Sequence, residues 1–147
     1  MSQSELLTRR LMEHPFQQFM GLQIADQRPG YCEVRLTVSE NIDNLSNTLH
    51  GGVLYAAADV AAMLSTIPML KDNEYAVTAT FNAQLLAPVP LGHEVVFRAK
   101  VLKAGKRMIF LQCEASSVTE DRVVFLANIC KTRLQKAYSE SAPAGAG

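Results

Sequence analysis

Tryptophan is absent from this 147-residue chain, and histidine and cysteine occur only three times each. The cysteines, Cys32, Cys113 and Cys130, are odd in number and far apart, and the sequence contains no C-x-x-C. This pattern argues against a disulfide framework and predicts reduced thiols in a cytoplasmic protein. No cluster of His, Cys and acidic residues has the spacing of metal ligands, so the sequence predicts no metal site.

An excess of charge is also missing, because 14 Lys and Arg balance 14 Asp and Glu. Without an overall positive field, we expect no nucleic-acid partner. The first ten residues are polar and lack the apolar segment of a signal peptide. Residues 53–70 are apolar but include Asp59 and Pro68, whereas a membrane-spanning helix needs about 20 mostly apolar residues. We interpret this stretch as a buried core helix and expect no membrane partner.

Hydrophobic periodicity predicts a helix, two strands, a long helix and then four strands. Leucines at helical spacing predict a first helix that is capped by Ser4 and ended by Pro15. Alternating apolar and polar residues predict strands at 21–27, 32–38, 75–86, 94–102, 108–116 and 123–134. We therefore divide the chain into an N-terminal helix (1–15), one domain (16–136) and a tail (137–147) that we expect to be disordered.

Short turns between consecutive strands predict an antiparallel sheet. A single helix that is apolar nearly all round can be buried if that sheet curls around it, which makes the fold class α+β. The edges of such a sheet would be unpaired, and pairing with a second copy of the chain would cover them.

The central helix begins at His50-Gly51-Gly52, and Asp59 is its only charged residue. The glycines are predicted to leave the first backbone amides uncovered, and a helix N-terminus favours negative charge. A carboxylate in an apolar helix is costly unless it is paired or used. The stretch therefore combines an amide site for a developing oxyanion with a desolvated carboxylate.

One helix cannot place both of these groups around one carbonyl. Asp59 follows Gly51 by eight residues, which corresponds to about 12 Å along a helix. Reacting atoms must lie about 3 Å from both the oxyanion donor and the base. If both groups act on one substrate, the site lies between two subunits.

The sequence resembles the hotdog-fold acyl-CoA thioesterases of the phenylacetate-degradation type, over residues 16–134. The resemblance is carried by N-x5-H-G-G-x6-D, which begins at Asn44 and ends at Asp59, by the turn from Pro88 to Gly92, and by V-L-K-x-G-K, which begins at Val101. It implies a hotdog fold, a curled antiparallel sheet around one long apolar helix, and a homo-oligomer that is a dimer or a dimer of dimers. The glycine common at one loop position in relatives is replaced here by Asn47, which tolerates left-handed geometry nearly as well.

The resemblance also implies roles for particular residues. The Gly51 amide, assisted by Asn44, would polarise the thioester carbonyl, and Gly52 would line the substrate site. Asp59 of the facing subunit would be the general base for water or the nucleophile. Thr78 would help to orient the water. His50 would be either catalytic or a structural residue that holds the helix start.

Lys103 falls where relatives contact the nucleotide end of coenzyme A, with Lys106 and Arg107 close by in sequence. The predicted reaction is hydrolysis of an acyl-CoA to free acid and coenzyme A, without a cofactor, since coenzyme A is part of the substrate. Two alternatives remain open at this point. One is a hotdog dehydratase or hydratase that uses His50 and Asp59, and the other is a non-catalytic acyl-CoA-binding module.

Overall fold

A computed structural model describes residues 1–135 and confirms the predicted antiparallel sheet around a central helix. The predicted tail at 137–147 lies outside the described residues. The elements are α1 (Gln3–Glu13), α2 (Pro15–Met20), β1 (Gln23–Arg28), β2 (Tyr31–Thr37), α3 (Gly51–Thr66), a short 3-10 turn (Ile67–Met69), β3 (Glu74–Leu85), β4 (Glu94–Ala104), β5 (Met108–Ser117) and β6 (Arg122–Gln135).

The N-terminal region differs from the prediction in two respects. The N-cap of α1 is Ser2 rather than Ser4, because the Ser2 hydroxyl accepts from the Glu5 amide while the Glu5 carboxylate accepts from the Ser2 amide. Pro15 ends α1 as predicted, but it also begins α2, a helix that the sequence reading missed. Proline suits the first position of a helix since no amide is needed there.

The six strands form one antiparallel sheet in the order β1-β2-β4-β5-β6-β3. Consecutive strands β4, β5 and β6 are joined by short turns, whereas the long α3 segment carries the chain from β2 to the far edge, where β3 lies. β1 and β3 therefore each have one edge that no described strand covers. The β3 edge strand pairs with β6 over its whole length, with Thr78 opposite Lys131.

The sheet curls around α3 and buries one side of it. Leu54, Ala58, Ala61 and Leu64 are buried against inward side chains of the sheet such as Phe97. The prediction of burial on all sides is wrong for the single chain, because Tyr55 is 40% exposed and the Asp59 side chain is 44% exposed. Length and composition would also allow residues 51–69 to cross a membrane, but 61% of the most apolar window is buried in the protein, as is usual for a core helix.

Candidate active site

His50 forms the N-cap of α3. Its backbone is extended, and its Nδ1 atom accepts a hydrogen bond of 2.9 Å from the Gly52 amide. The Val53 and Leu54 amides bond to the His50 carbonyl oxygen instead. Histidine therefore does here what Ser or Asp does at most helix starts. Of the two roles left open by the sequence, this contact supports the structural one.

The Gly51 amide is the uncovered donor of the first turn of α3. No described residue accepts a hydrogen bond from it, whereas the Gly52 amide is already bonded to His50. The expectation of uncovered first amides thus holds for Gly51 and fails for Gly52. Crowding explains why glycine occupies both positions. A Cβ on Gly51 would lie 3.1 Å from Leu85, and one on Gly52 would lie 3.0 Å from the His50 ring.

Asn44 lines the same cleft as Gly51, a cavity of about 310 Å³ between the polar loop, the start of α3 and the end of β3. Its Oδ1 atom accepts from the Ser46 and Thr48 amides and from the Thr48 hydroxyl, which fixes the loop. Its side-chain amide group donates to no described residue and is available to a ligand. Asn47 has φ +56°, so it does take the left-handed conformation that the sequence comparison with glycine suggested.

Asp59 projects from the middle of α3 toward β3 and β6. Its Oδ1 atom accepts from the Thr78 hydroxyl at 2.6 Å and lies 3.3 Å from the Lys131 ammonium. The ammonium also donates to the Thr78 hydroxyl at 2.9 Å. Among the described residues, Oδ2 accepts no hydrogen bond. The carboxylate is therefore held by one oxygen and open at the other.

Lys131 is the site residue that the sequence reading missed. Its side chain is only 3% exposed, and burial lowers the pKa of the ammonium, while the Asp59 carboxylate offsets part of this lowering. One feature of the sequence could have indicated that Lys131 is buried. It follows the apolar run of β6, and because side chains alternate between the two faces of a strand, it lies on the same buried face as Ala127 and Ile129. Its pairing with Thr78, however, follows only from the register of β3 against β6.

The Asp59 group, with Thr78 and Lys131, lines an otherwise apolar cleft of about 510 Å³. The cleft runs between α3, β3 and the N-terminal helices, and its apolar walls include Leu11, Phe16, Val60 and Met63. A second, smaller cavity of about 150 Å³ is lined by residues of α1, α3 and β3 and shares Leu11, Met63 and Ala76 with the first. Met63 therefore stands where the two cavities meet.

The two candidate halves of the site are separate within one chain. The cleft of Asn44 and Gly51 and the cleft of Asp59 have no lining residue in common. This agrees with the separation of about 12 Å expected from helix geometry. A single chain therefore offers an oxyanion donor in one place and a carboxylate in another.

The basic residues Lys103, Lys106 and Arg107 lie on and beside the β4–β5 turn. All three are exposed, and none lines either cleft. The structure of one chain therefore does not bring them to Asp59 or Gly51. Within residues 1–135, no three His, Cys, Asp or Glu side chains are grouped so that they could hold a metal ion.

A six-stranded antiparallel sheet curled around one long apolar helix is the hotdog fold. The chain belongs to the thioesterase superfamily, whose family model matches residues 46–124. The class of enzyme is therefore that of the thioester hydrolases.

Solved structures and a curated relative agree with this assignment. The TT0310 protein of Thermus thermophilus has a TM-score of 0.76 and 30% identity, covering 84% of this chain and 100% of that one. A mutant of the phenylacetic acid degradation protein PaaI of the same organism has a TM-score of 0.75 and 29% identity, covering 82% and 99%. Human acyl-coenzyme A thioesterase 13 is 27% identical over 112 residues, 74% of this chain and 78% of that protein.

Other relatives are matched over less of their length. The chain spans 63% of a predicted esterase of Saccharolobus solfataricus and 18% of the methylthioribose-1-phosphate isomerase of Aquifex aeolicus.

Proposed function

We propose that this chain hydrolyses acyl-CoA thioesters to a free acid and coenzyme A, at sites formed between two copies of the chain. The observation that carries the proposal is the Asp59 carboxylate, which has one anchored and one open oxygen and lines an apolar cleft. Water bound at Oδ2 would lie beside the acyl group, and Asp59 would act as its general base or attack the carbonyl itself.

The oxyanion donors would come from the partner subunit. As the thioester carbonyl is attacked, its oxygen becomes negative, and preorganised amides stabilise that charge. The open Gly51 amide, at the positive end of α3, and the free side-chain amide of Asn44 share one cleft and suit this role. The proposed reaction needs only water and substrate.

A dimer is supported by the surfaces that one chain leaves exposed. The outer edge of β3 has no described partner strand, and large apolar side chains around it are exposed: Tyr55, Val77, Leu85 and Leu86 are 40%, 43%, 49% and 52% accessible. Unpaired edges and apolar patches of this kind are characteristic of interfaces. Pairing of two β3 strands would bring each α3 toward the other subunit. A dimer of dimers and a cytoplasmic location are further parts of the proposal.

The acyl chain would lie in the cleft that Asp59 lines, between α3 and the N-terminal helices. Lys103, Lys106 and Arg107 would contact the phosphates of coenzyme A from the surface, since basic side chains on a turn can follow a flexible nucleotide. The hydratase alternative is less well supported, because His50 already uses Nδ1 to cap α3 and is poorly placed as a proton shuttle.

A thiol-release screen over short, long and aromatic acyl-CoAs tests the reaction. The assay suits this protein because all three cysteines are buried, and burial raises the pKa of Cys32 and Cys113 to about 12, so that they react slowly with the thiol reagent. We expect release from at least one class of acyl-CoA. Tight binding of an acyl-CoA without release would instead favour the binding-module alternative.

Subunit complementation tests the shared site. Gly51→Pro removes the amide while keeping a residue suited to the first helical position, and the extended backbone of His50 suits a residue before proline. Asp59→Asn removes the carboxylate. If each site takes one group from each chain, re-dimerising an equal mixture of the two inactive variants should restore about a quarter of the wild-type sites. No recovery in dimers shown to contain both variants would contradict the shared site.

A further inference from the structure

We propose that Lys131 is a positioning residue for Asp59, which pins one carboxylate oxygen so that the other alone acts on water. The inference rests on the proposed function, because it assigns to Lys131 a share in the same hydrolysis. It concerns a side chain on β6 that is almost completely buried beside a partly exposed carboxylate.

The geometry gives Asp59 two anchors on the same atom. Lys131 Nζ lies 3.3 Å from Oδ1, and the Thr78 hydroxyl donates to Oδ1 at 2.6 Å. Lys131 Nζ also donates to Thr78 Oγ1 at 2.9 Å, which leaves the hydroxyl proton pointing to Asp59. The ammonium thus fixes the carboxylate directly and also through the hydroxyl. A carboxylate held in this way cannot rotate freely about its last bond.

The placement of Lys131 is unfavourable unless it serves a purpose. Lysine is rarely buried, and an ammonium removed from water costs free energy even beside an anion. Replacement of a buried ion pair by apolar residues often leaves a protein equally stable or more so. A function is therefore a better reason for the lysine than stability. The exposed fractions of the pair, 3% and 44%, show that the cation is interior while the anion faces the cleft.

Asp59 is the only charged group that faces Lys131 among the described residues. On β5 its neighbour across the sheet is Ile109, and on β3 it is Thr78. The next charged pair, Arg133 on β6 and Glu74 on β3, is closed on itself at 3.0 Å. The cation therefore acts on one carboxylate and on no other.

This arrangement defines the role of each group in the proposed hydrolysis with Asp59 as base. The water oxygen bonds to the thioester carbon and its proton passes to Asp59 Oδ2. The carbon–sulfur bond then breaks, and the sulfur of coenzyme A takes that proton and leaves as a thiol. Lys131 keeps its proton throughout, and its fixed charge holds Oδ1 before and after the transfer.

The test replaces Lys131 with Met, which has a similar length and no charge. We expect kcat to fall about 10- to 100-fold, because a carboxylate misplaced by about an ångström loses its alignment with water. KM should change less than about twofold, because Lys131 lines the cleft with a side chain that is only 3% exposed and offers little surface to the acyl chain. The matched control is Lys100→Met, a change at an exposed position of β4 with no ion pair among the described residues. This control should leave both constants unchanged.

The pH profile gives a readout that a merely structural lysine would not produce. Burial lowers the pKa of Lys131, so the wild type should lose kcat on the alkaline side as the ammonium loses its proton and releases Asp59. The Lys131→Met variant has no such group and should lack that alkaline decline.

Two further variants keep the inference testable if Lys131→Met folds poorly. Thr78→Val removes the hydroxyl without changing the shape of the side chain, and Thr78→Ser restores it. We expect Val to lower kcat and Ser to keep most of it. Where Lys131→Met does fold, the losses of kcat in the double variant Lys131→Met/Thr78→Val should be less than multiplicative, since both substitutions act on one carboxylate.

The outcomes separate the inference from the proposed function. A wild-type enzyme that hydrolyses acyl-CoA, together with a folded Lys131→Met variant of unchanged kcat and unchanged pH profile, would overturn the positioning role alone. Unchanged kcat in Thr78→Val would do the same. A wild-type protein that releases no thiol from any acyl-CoA would instead overturn the proposed function.

Discussion

The start of α3 and its middle are built in different ways, although both are proposed to act on one carbonyl. The start is made of neighbours in sequence: His50 caps the helix, and the Gly51 amide is left uncovered. The middle is made of residues that are far apart, since Asp59, Thr78 and Lys131 come from α3, β3 and β6. A local motif can present a backbone donor, whereas holding a carboxylate in one orientation requires the register of a sheet.

The largest effect is expected from Asp59→Asn, which removes the base at the middle of α3. Asparagine keeps an oxygen for the Thr78 hydroxyl but cannot take a proton from water, so kcat should fall about 1,000-fold. Thiol release from the best acyl-CoA measures this, and a thermal melt serves as the folding control. Turnover near the wild-type level in the folded variant would remove Asp59 from the mechanism.

Removal of the donor at the helix start should have the next largest effect. Gly51→Pro lacks the amide, and the loss of one oxyanion donor typically costs about 3 kcal/mol, or about 100-fold in kcat. Gly51→Ala is the matched control, because its Cβ meets Leu85 in the same way but the amide remains. Equal losses in the two variants would assign the effect to crowding at Leu85 and not to the amide.

Substitution of Met63 should alter the choice of substrate. Met63→Ala opens the junction between the two cavities, and we expect kcat/KM for long relative to short acyl chains to rise about tenfold. Met12→Ala, on α1 and outside both cavities, provides the control. A chain-length profile identical to that of the wild type would place the acyl group elsewhere.

Substitution of His50 tests whether its imidazole is catalytic or only caps α3. His50→Ala should lower the free energy of unfolding by about 1 kcal/mol, because the Gly52 amide loses its acceptor. His50→Asn offers another acceptor and should retain both stability and kcat. If Asn preserves stability but loses kcat as fully as Ala, the imidazole itself takes part in the reaction.

The smallest effect concerns stability against pH at the middle of α3. Burial lowers the pKa of Lys131 below its ordinary value of 10.5, so in the range just below 10.5 the unfolded chain binds more protons than the folded protein. The contribution of Lys131 to the free energy of unfolding therefore increases as pH rises through this range. Cys32 and Cys113, whose pKa burial raises from 9.0 to about 12, act in the opposite direction above pH 9.0.

A difference between two proteins isolates the contribution of the lysine, because both contain the same cysteines. The free energy of unfolding of the wild type minus that of Lys131→Met should increase as pH rises from about 8 toward the ordinary pKa of lysine, as measured by urea titration. A flat difference would mean that Lys131 has the same pKa in the folded and unfolded chains.

The sequence by itself determined the elements and the helix start. Period-two alternation located β2 and β4–β6, and the His-Gly-Gly motif located the first turn of α3, because both depend on residues close together in the chain. The short α2 was missed since six mixed residues give little periodicity.

Only the tertiary structure decided how the carboxylate is held. The antiparallel register of β3 with β6 sets Thr78 opposite Lys131, and the curl of the sheet brings both beneath Asp59. The sequence also could not predict which side of α3 is exposed. When a helix is apolar on all sides, its composition does not show which face the sheet covers and which it leaves open. Contacts over 19 and 72 residues depend on strand pairing, which no local pattern specifies.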